Sequence, residues 1–129
     1  MEKKHLVLCD TNIFIEIYRG NETITQNVEK IGIENIVVSD VILAELLFGA
    51  RNKKELQFIK KDLSQFVQLP IKSSISKEAV KLVDKYSISH KLSFADALIA
   101  ATVLYFEMPL YTLNIKDFKF IEGIELFMI

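Results

Sequence analysis

In Leu6-Val7-Leu8-Cys9-Asp10-Thr11-Asn12-Ile13-Phe14 a continuous apolar run stops at an aspartate, and a helical pattern begins within a few residues. Unbroken apolar residues over 6–9 suit a strand buried on both faces, as in a parallel sheet. Ile13, Phe14, Ile17 and Tyr18 then recur at helical spacing until Arg19-Gly20-Asn21 ends the pattern. A second amphipathic stretch covers 24–31. The strand-to-helix sequence repeats at Ile36-Val37-Val38-Ser39, after which Asp40 is expected to cap an apolar helix over 41–48 closed by Gly49.

Downstream, Leu56, Ile59, Lys60 and Leu63 share one stripe of a helix expected over 53–66, and Phe66-Val67-Gln68-Leu69 before Pro70 reads as a weaker strand. Ser76 is expected to cap the next helix, in which Ala79, Val80, Val83 and Tyr86 keep the helical period. Ser93-Phe94-Ala95-Asp96 has the form of a capping box, and the helix it opens is apolar nearly all round as far as Phe106, which places it inside the protein. Leu110-Tyr111-Thr112-Leu113 reads as a strand, Asn114 as the cap of a short helix to Phe118, and 124–127 as a last edge strand. This alternation of strands and helices argues for an α/β protein, a three-layer α/β/α sandwich with a mostly parallel central sheet. Ligands of such sheets gather beyond the carboxyl ends of the strands, where the strand order switches. Asp10, Asn114 and Asp117 each fall just past such a strand end.

The 129 residues fit a single domain over 1–129, with 50% apolar and 26% charged residues as in an ordinary globular protein. No apolar run is long enough to cross a bilayer, since 94–106 is the longest candidate and carries Asp96. Met1-Glu2-Lys3-Lys4-His5 runs straight into the first strand without the apolar stretch of a signal peptide, so a soluble cytoplasmic protein is expected, with no membrane partner. Cys9 stands alone within an apolar run and reads as a small buried hydrophobe. A net charge of −1 gives no global attraction to nucleic acid. Local attraction has one candidate, the basic stretch Arg51, Lys53, Lys54, Lys60 and Lys61 around the single acid Glu55; a solvated helix face is the alternative reading.

Three carboxylates sit in apolar contexts: Asp10, Glu45 in Leu43-Ala44-Glu45-Leu46, and Asp96 in Phe94-Ala95-Asp96-Ala97-Leu98. Desolvating an ionised carboxylate costs several kcal/mol unless cations or donors compensate. A shared divalent metal is the simplest compensator, and Mg²⁺ or Mn²⁺ prefers such oxygen ligands. A metal so held activates water and stabilises charge on a phosphodiester, so no protein nucleophile is needed. Neither His5 nor His90 has a catalytic setting. Each acid also has a local structural role open to it: Asp10 can cap the first helix, and Asp96 can serve a capping box. Glu45 has the weakest such alternative, because it interrupts an apolar helix. Asp40, Asp62 and Asp84 read as a cap and two solvated side chains. Glu16 shares a helix face with Asn12, at the rim of the site or in solvent.

The segments Leu8-Cys9-Asp10-Thr11-Asn12, Val41 to Leu46, Leu92 to Ala101 and Leu110 to Phe118, in that order, resemble PIN-domain proteins, in particular the VapC-type toxins of bacterial and archaeal toxin–antitoxin pairs. The resemblance spans almost the whole chain. It implies a PIN-like fold and a metal-dependent endoribonuclease that uses Mg²⁺ or Mn²⁺ to cut structured RNA such as transfer or ribosomal RNA. It also implies a cognate protein antitoxin that holds the enzyme inactive, and a homodimer. By motif, Asp10, Glu45 and Asp96 correspond to the family's metal-binding acids, Thr11 and Asn12 order the first carboxylate, and Thr112 contacts the site from the fourth strand. Many relatives carry a fourth acid near Asn114; here Asp117 either substitutes for it or faces solvent. Arg51, Lys53 and Lys54 are the candidate RNA-binding residues. An exposed subset of Phe14, Tyr18, Leu46, Leu47, Phe48, Leu56 and Phe58 is expected to form the groove for an antitoxin helix. A haloacid-dehalogenase type phosphatase would need an acid where Asn12 stands, and a receiver domain an acidic neighbour that Asp10 lacks. A catalytically silent PIN-like binding module is the remaining alternative, against which the three retained acids argue.

Overall fold

The short apolar runs become strands because a sheet covered on both faces buries every side chain of such a segment. In the computed structural model, which describes residues 5–128, β1 (Val7–Cys9) and β2 (Ile36–Ser39) are buried at every position. The expectation for Met1 to Lys4 lies outside the described residues. β1 pairs in parallel with β2 and, on its other side, with β4 (Leu110–Tyr111), while β2 pairs in parallel with β3 (Val67–Leu69). The resulting order is β3-β2-β1-β4. The chain therefore steps outward from β1 to β3 and returns to place β4 beyond β1. Right-handed crossovers put the helices of the outward and return passes on opposite faces, and the switch in direction falls between β1 and β4.

Six α-helices connect and flank the strands among the described residues: α1 (Thr11–Tyr18), α2 (Glu22–Ile31), α3 (Asp40–Phe48), α4 (Lys53–Leu63), α5 (Ser73–His90) and α6 (Phe94–Phe106). α6 buries Ala97 through Val103 without a break, as its all-round apolar sequence requires, and α5 packs along it. α3 touches α1, α4 and α6, so it bridges the helices on either side of the site.

Several local expectations shift. Ser39, not Asp40, caps α3, its Oγ accepting from the Ile42 N–H; Asp40 is the first helical residue and accepts instead from the Ile71 N–H. α5 starts at Ser73, one turn before Ser76, because Ile75 extends the buried stripe of Ala79, Leu82 and Tyr86. Ser76 Oγ donates to the Ser73 carbonyl and caps nothing. α4 ends at Leu63, since Phe66 turns inward against Phe14 to lead into β3. β3 is more exposed than the other strands because it is the sheet edge. The expected strand over 124–127 reduces to one parallel bridge, Leu110 to Leu126, which leaves the far edge short. No helix among the described residues is long and apolar enough to cross a membrane.

Candidate active site

Asp10 follows β1 directly, and its N–H continues the ladder to the Tyr111 carbonyl at 2.9 Å, which sets it beside the end of β4. Its backbone is extended, it caps α1, and its Oδ1 accepts from the Thr11 N–H at 2.8 Å. The capping role and the site role therefore belong to one carboxylate rather than competing. The other oxygen, Oδ2, accepts from Thr112 Oγ1 at 2.7 Å and from Asn12 Nδ2 at 3.3 Å. Only 6% of Asp10 is exposed. Burial raises its pKa above the ordinary carboxylate value, the three hydrogen bonds oppose that rise, and the charge of Asp117 adds to it.

The hydrogen bonds reach beyond Asp10. Asn12 accepts from the Leu113 N–H at 3.1 Å through its side-chain oxygen, and Thr112 Oγ1 accepts from the Asn114 N–H at 3.0 Å. Asn12 Nδ2 also lies 3.3 Å from Thr112 Oγ1. These bonds tie the loop after β4 to the first turn of α1. Sequence reading missed Leu113, because its contribution is a main-chain N–H and leaves no side-chain signature.

Asp96 stands in the first turn of α6, where Ser93 Oγ accepts its N–H at 3.2 Å. The capping box is thus half formed: Ser93 caps, and the Asp96 carboxylate is left for the site. Burial pushes the Asp96 pKa up to about 6, reinforced by the charges of Asp10, Asp117 and Glu45. Glu45 departs from expectation in being exposed. α3 buries Val41, Ile42 and Leu46, while Ala44, Glu45 and Phe48 form a solvent-facing stripe, so its apolar sequence does not mean burial all round. Thr11 Oγ1 donates to Glu45 Oε1 at 3.3 Å, joining α3 to α1. Desolvation first, then the charge of Asp10, raises the Glu45 pKa.

Asp117 closes the 3₁₀ turn Ile115–Asp117 and is exposed, yet its charge acts on both Asp10 and Asp96. Asn114 is exposed and makes no side-chain cap, contrary to expectation. Among the described residues, the ion pairs are Arg19–Glu16, Arg51–Glu55, Lys81–Glu78 and Lys85–Glu122, so none neutralises these acids. No three metal-ligating side chains among the described residues converge into a closed metal site. The donor set nevertheless fits a hard divalent cation: oxygen-only, mutually repelling, open to solvent, and suited to an ion that keeps several waters beside one or two carboxylates.

Other sequence candidates lie apart from this network. Arg51 clasps Glu55 through Nε and Nη2, the latter at 2.9 Å, whereas Lys53 and Lys54 are exposed at the start of α4. Glu16 pairs with Arg19 and accepts from Asn21. Cys9 is fully buried with its thiol pushed up to about 12, in keeping with a purely packing role. His90 stacks on Phe120 at 4.0 Å.

Comparison with known proteins identifies the family. The family model described as "PIN domain" matches residues 7–121. Ribonuclease VapC1 of Rickettsia felis is 34% identical over 127 residues, with 92% of each chain covered. A solved toxin–antitoxin complex from Klebsiella pneumoniae is similar at 30% identity and a TM-score of 0.77, over 92% of this chain and 94% of that one. The structure of VapBC2 from Rickettsia felis bound to a DNA fragment from their promoter superimposes with a TM-score of 0.80 at 25% identity, over 95% and 97% of the two chains. The matched region contains Asp10, Glu45, Asp96, Thr112 and Asp117 together, and the chain belongs to the PIN-domain family, within its VapC type.

Proposed function

We propose that this chain is a metal-dependent endoribonuclease of the cytoplasm, the toxin of a toxin–antitoxin pair, which hydrolyses phosphodiester bonds in structured RNA such as transfer or ribosomal RNA. The observation that carries the reading is the hydrogen-bonded frame that fixes the buried Asp10 carboxylate through Thr11, Asn12 and Thr112 and joins Glu45 to it through Thr11, with Asp96 close enough to feel the Asp10 charge and no ion pair among the described residues neutralising these acids.

Asp10, Glu45 and Asp96 would hold Mg²⁺ or Mn²⁺, with Asp117 adding negative charge at the rim. When bound, such an ion neutralises a scissile phosphate and lowers the pKa of water. Thr112, Asn12 and the Thr11 N–H fix the Asp10 carboxylate in one orientation, so little reorganisation is left for the reaction. Thr11 Oγ1 steadies Glu45 in the same way. Asn114 has a carbonyl oxygen available for ligation but brings no charge, which leaves Asp117 as the fourth acid. Lys53 and Lys54, which make no ion pair among the described residues, would offer ammonium groups to more distant phosphates, while Arg51 must first release Glu55.

The direct test is incubation of total cellular RNA with the purified chain in Mn²⁺ or Mg²⁺, beside an EDTA control. Discrete metal-dependent fragments are expected; identical patterns with and without EDTA would refute the reading and favour a silent binding module. Thr112→Val removes the 2.7 Å bond to Asp10 while keeping shape. It is expected to lower cleavage about 10–100-fold, as partners behind a metal ligand do, with weaker Mn²⁺ binding by calorimetry.

An antitoxin helix is expected to dock on the apolar surface that early helices leave uncovered. Phe14 and Leu46 went into the core, but Phe48 is 92% exposed and Phe58 56% exposed. Tyr18 meets Phe58 edge-on and donates to Asp62 at 2.8 Å, which gives this patch a fixed shape. Truncating Phe48 and Phe58 together to Ala should weaken a co-expressed antitoxin at least tenfold, because exposed aromatics anchor such interfaces. Undiminished copurification would place the interface elsewhere. Self-association into a homodimer is expected by light scattering.

A further inference from the structure

Large apolar side chains also stand in solvent around the acids. Phe94, the first residue of α6 and two positions before Asp96, is 49% exposed although Ala97 to Val103 of the same helix are buried without a break. Leu113 is 47% exposed, yet its N–H is fastened to Asn12, which in turn holds Asp10. Ile115, at the start of the turn that carries Asp117, is 38% exposed. Ser93 Oγ holds the first turn of α6, so Phe94 has a rigid base. Each apolar group is therefore mounted on a segment that also positions a carboxylate or its partner. None of them contributes to the core.

Exposed lysines lie close to these acids along the chain. Lys91, Lys116 and Lys119 are exposed on the two connections that deliver Asp96 and Asp117, and no ion pair among the described residues uses them. Lys91 holds a left-handed backbone (φ 53, ψ 38) at the end of α5, a conformation that non-glycine residues adopt rarely. It ends that helix and sends the chain into α6 within three residues.

We propose that Phe94 is a base-stacking subsite that holds one unpaired nucleobase of the RNA beside the scissile phosphate, with Lys91 and Lys116 on the adjoining phosphates. The inference rests on the nuclease reading and deepens it. Carboxylates and metal recognise only the phosphodiester, which every nucleotide carries. An exposed aromatic face adds what they lack, because bases in loops and ends stack on aromatic side chains and are thereby selected from paired ones. The subsite requires a nucleotide that has left its helix, so cutting falls in loops.

The probe is a ten-nucleotide single-stranded RNA carrying 2-aminopurine, whose fluorescence falls on stacking, titrated with the full chain in Ca²⁺ to slow cutting. A matching strand of abasic ribose phosphates reports the backbone alone. Wild type and Phe94→Tyr are expected to quench the probe, and Phe94→Ala to lose the quench and bind about tenfold more weakly. Binding of the abasic strand should not change, and neither should Mn²⁺ affinity nor the melting curve of Phe94→Ala, since the side chain is half exposed. Quenching that persists in Phe94→Ala would overturn the proposal, as would an equal loss on the abasic strand. Total RNA supplies the separate check on the reading beneath it. Phe94-dependent quenching without any metal-dependent cutting would leave the subsite standing and remove the nuclease; cutting without the quench would do the reverse.

Discussion

Asp10→Asn is expected to abolish RNA cleavage in Mn²⁺, with a loss larger than the roughly 10–100-fold that follows from disturbing partners behind a metal ligand. Asn keeps the shape and the capping oxygen but removes the charge at the one buried acid of the cluster. Thr112 and Asn12 both donate to Oδ2, and an amide nitrogen turned toward them would meet donors with a donor. The amide must therefore either keep its oxygen there and lose the bond from the Thr11 N–H, or break the link to β4. Both outcomes displace the ligand and weaken the cation. Calorimetry with Mn²⁺ and cleavage of total RNA should fall together, while circular dichroism stays that of a folded protein. Wild-type cleavage by this variant would mean that Asp10 is a structural cap alone.

Asp96→Asn should likewise abolish cleavage, and at the same time make the metal-free protein more stable. With its pKa near 6 in the folded state and an unperturbed value near 4 in the unfolded chain, Asp96 binds its proton more tightly when folded. Unfolded chains then bind fewer protons between those values, so metal-free stability falls as pH rises from about 4 to about 6 and stays lower at neutral pH. Glu45 and Asp10 act in the same direction, since both are raised. Asp96 is partly exposed, and solvent screening reduces its share to about 1 kcal/mol. Thermal melts in EDTA should show the wild type less stable at pH 7 than at pH 5, and the variant both more stable at pH 7 and less sensitive to pH. Mn²⁺ should raise the wild-type midpoint and leave that of the variant nearly unmoved, because a ligand stabilises only the form that binds it. A variant less stable than wild type at pH 7 would mean that Asp96 serves the fold instead of the site.

These two predictions pull in opposite directions for one reason. Acids that lysines would neutralise in a purely structural setting have no ion-pair partner among the described residues, and holding them together costs stability. The hydrogen bonds from Thr11, Asn12 and Thr112 are what make this arrangement durable without metal.

Local pattern alone was enough for β1, β2 and α6, because an unbroken apolar run has few ways to hide itself, and for the placement of Asp10 and Asp96 at helix N-termini, because caps are read within a few residues. It also separated Phe14 and Leu46, which are buried, no better than any apolar list from Phe48 and Phe58, which are not. The cap of α3 moved by one residue, from Asp40 to Ser39, and that of α5 by a full turn, from Ser76 to Lys72, since a cap residue competes with its neighbours and the winner depends on packing of Ile42 and Ile75.

Motif order and local periodicity therefore determined the α/β class, the family, and the identity of the acids. Tertiary structure decided what those acids face. The bond from Thr112 to Asp10 crosses 102 positions of chain and exists only because β4 returns to the free side of β1. Solvent exposure of Glu45, the electrostatic reach of Asp117 and the reduction of the last strand to one bridge are likewise products of the strand order. Short-range propensity acts over a turn or a strand, whereas the charge on a carboxylate and its access to water depend on whatever the fold brings within a few ångströms.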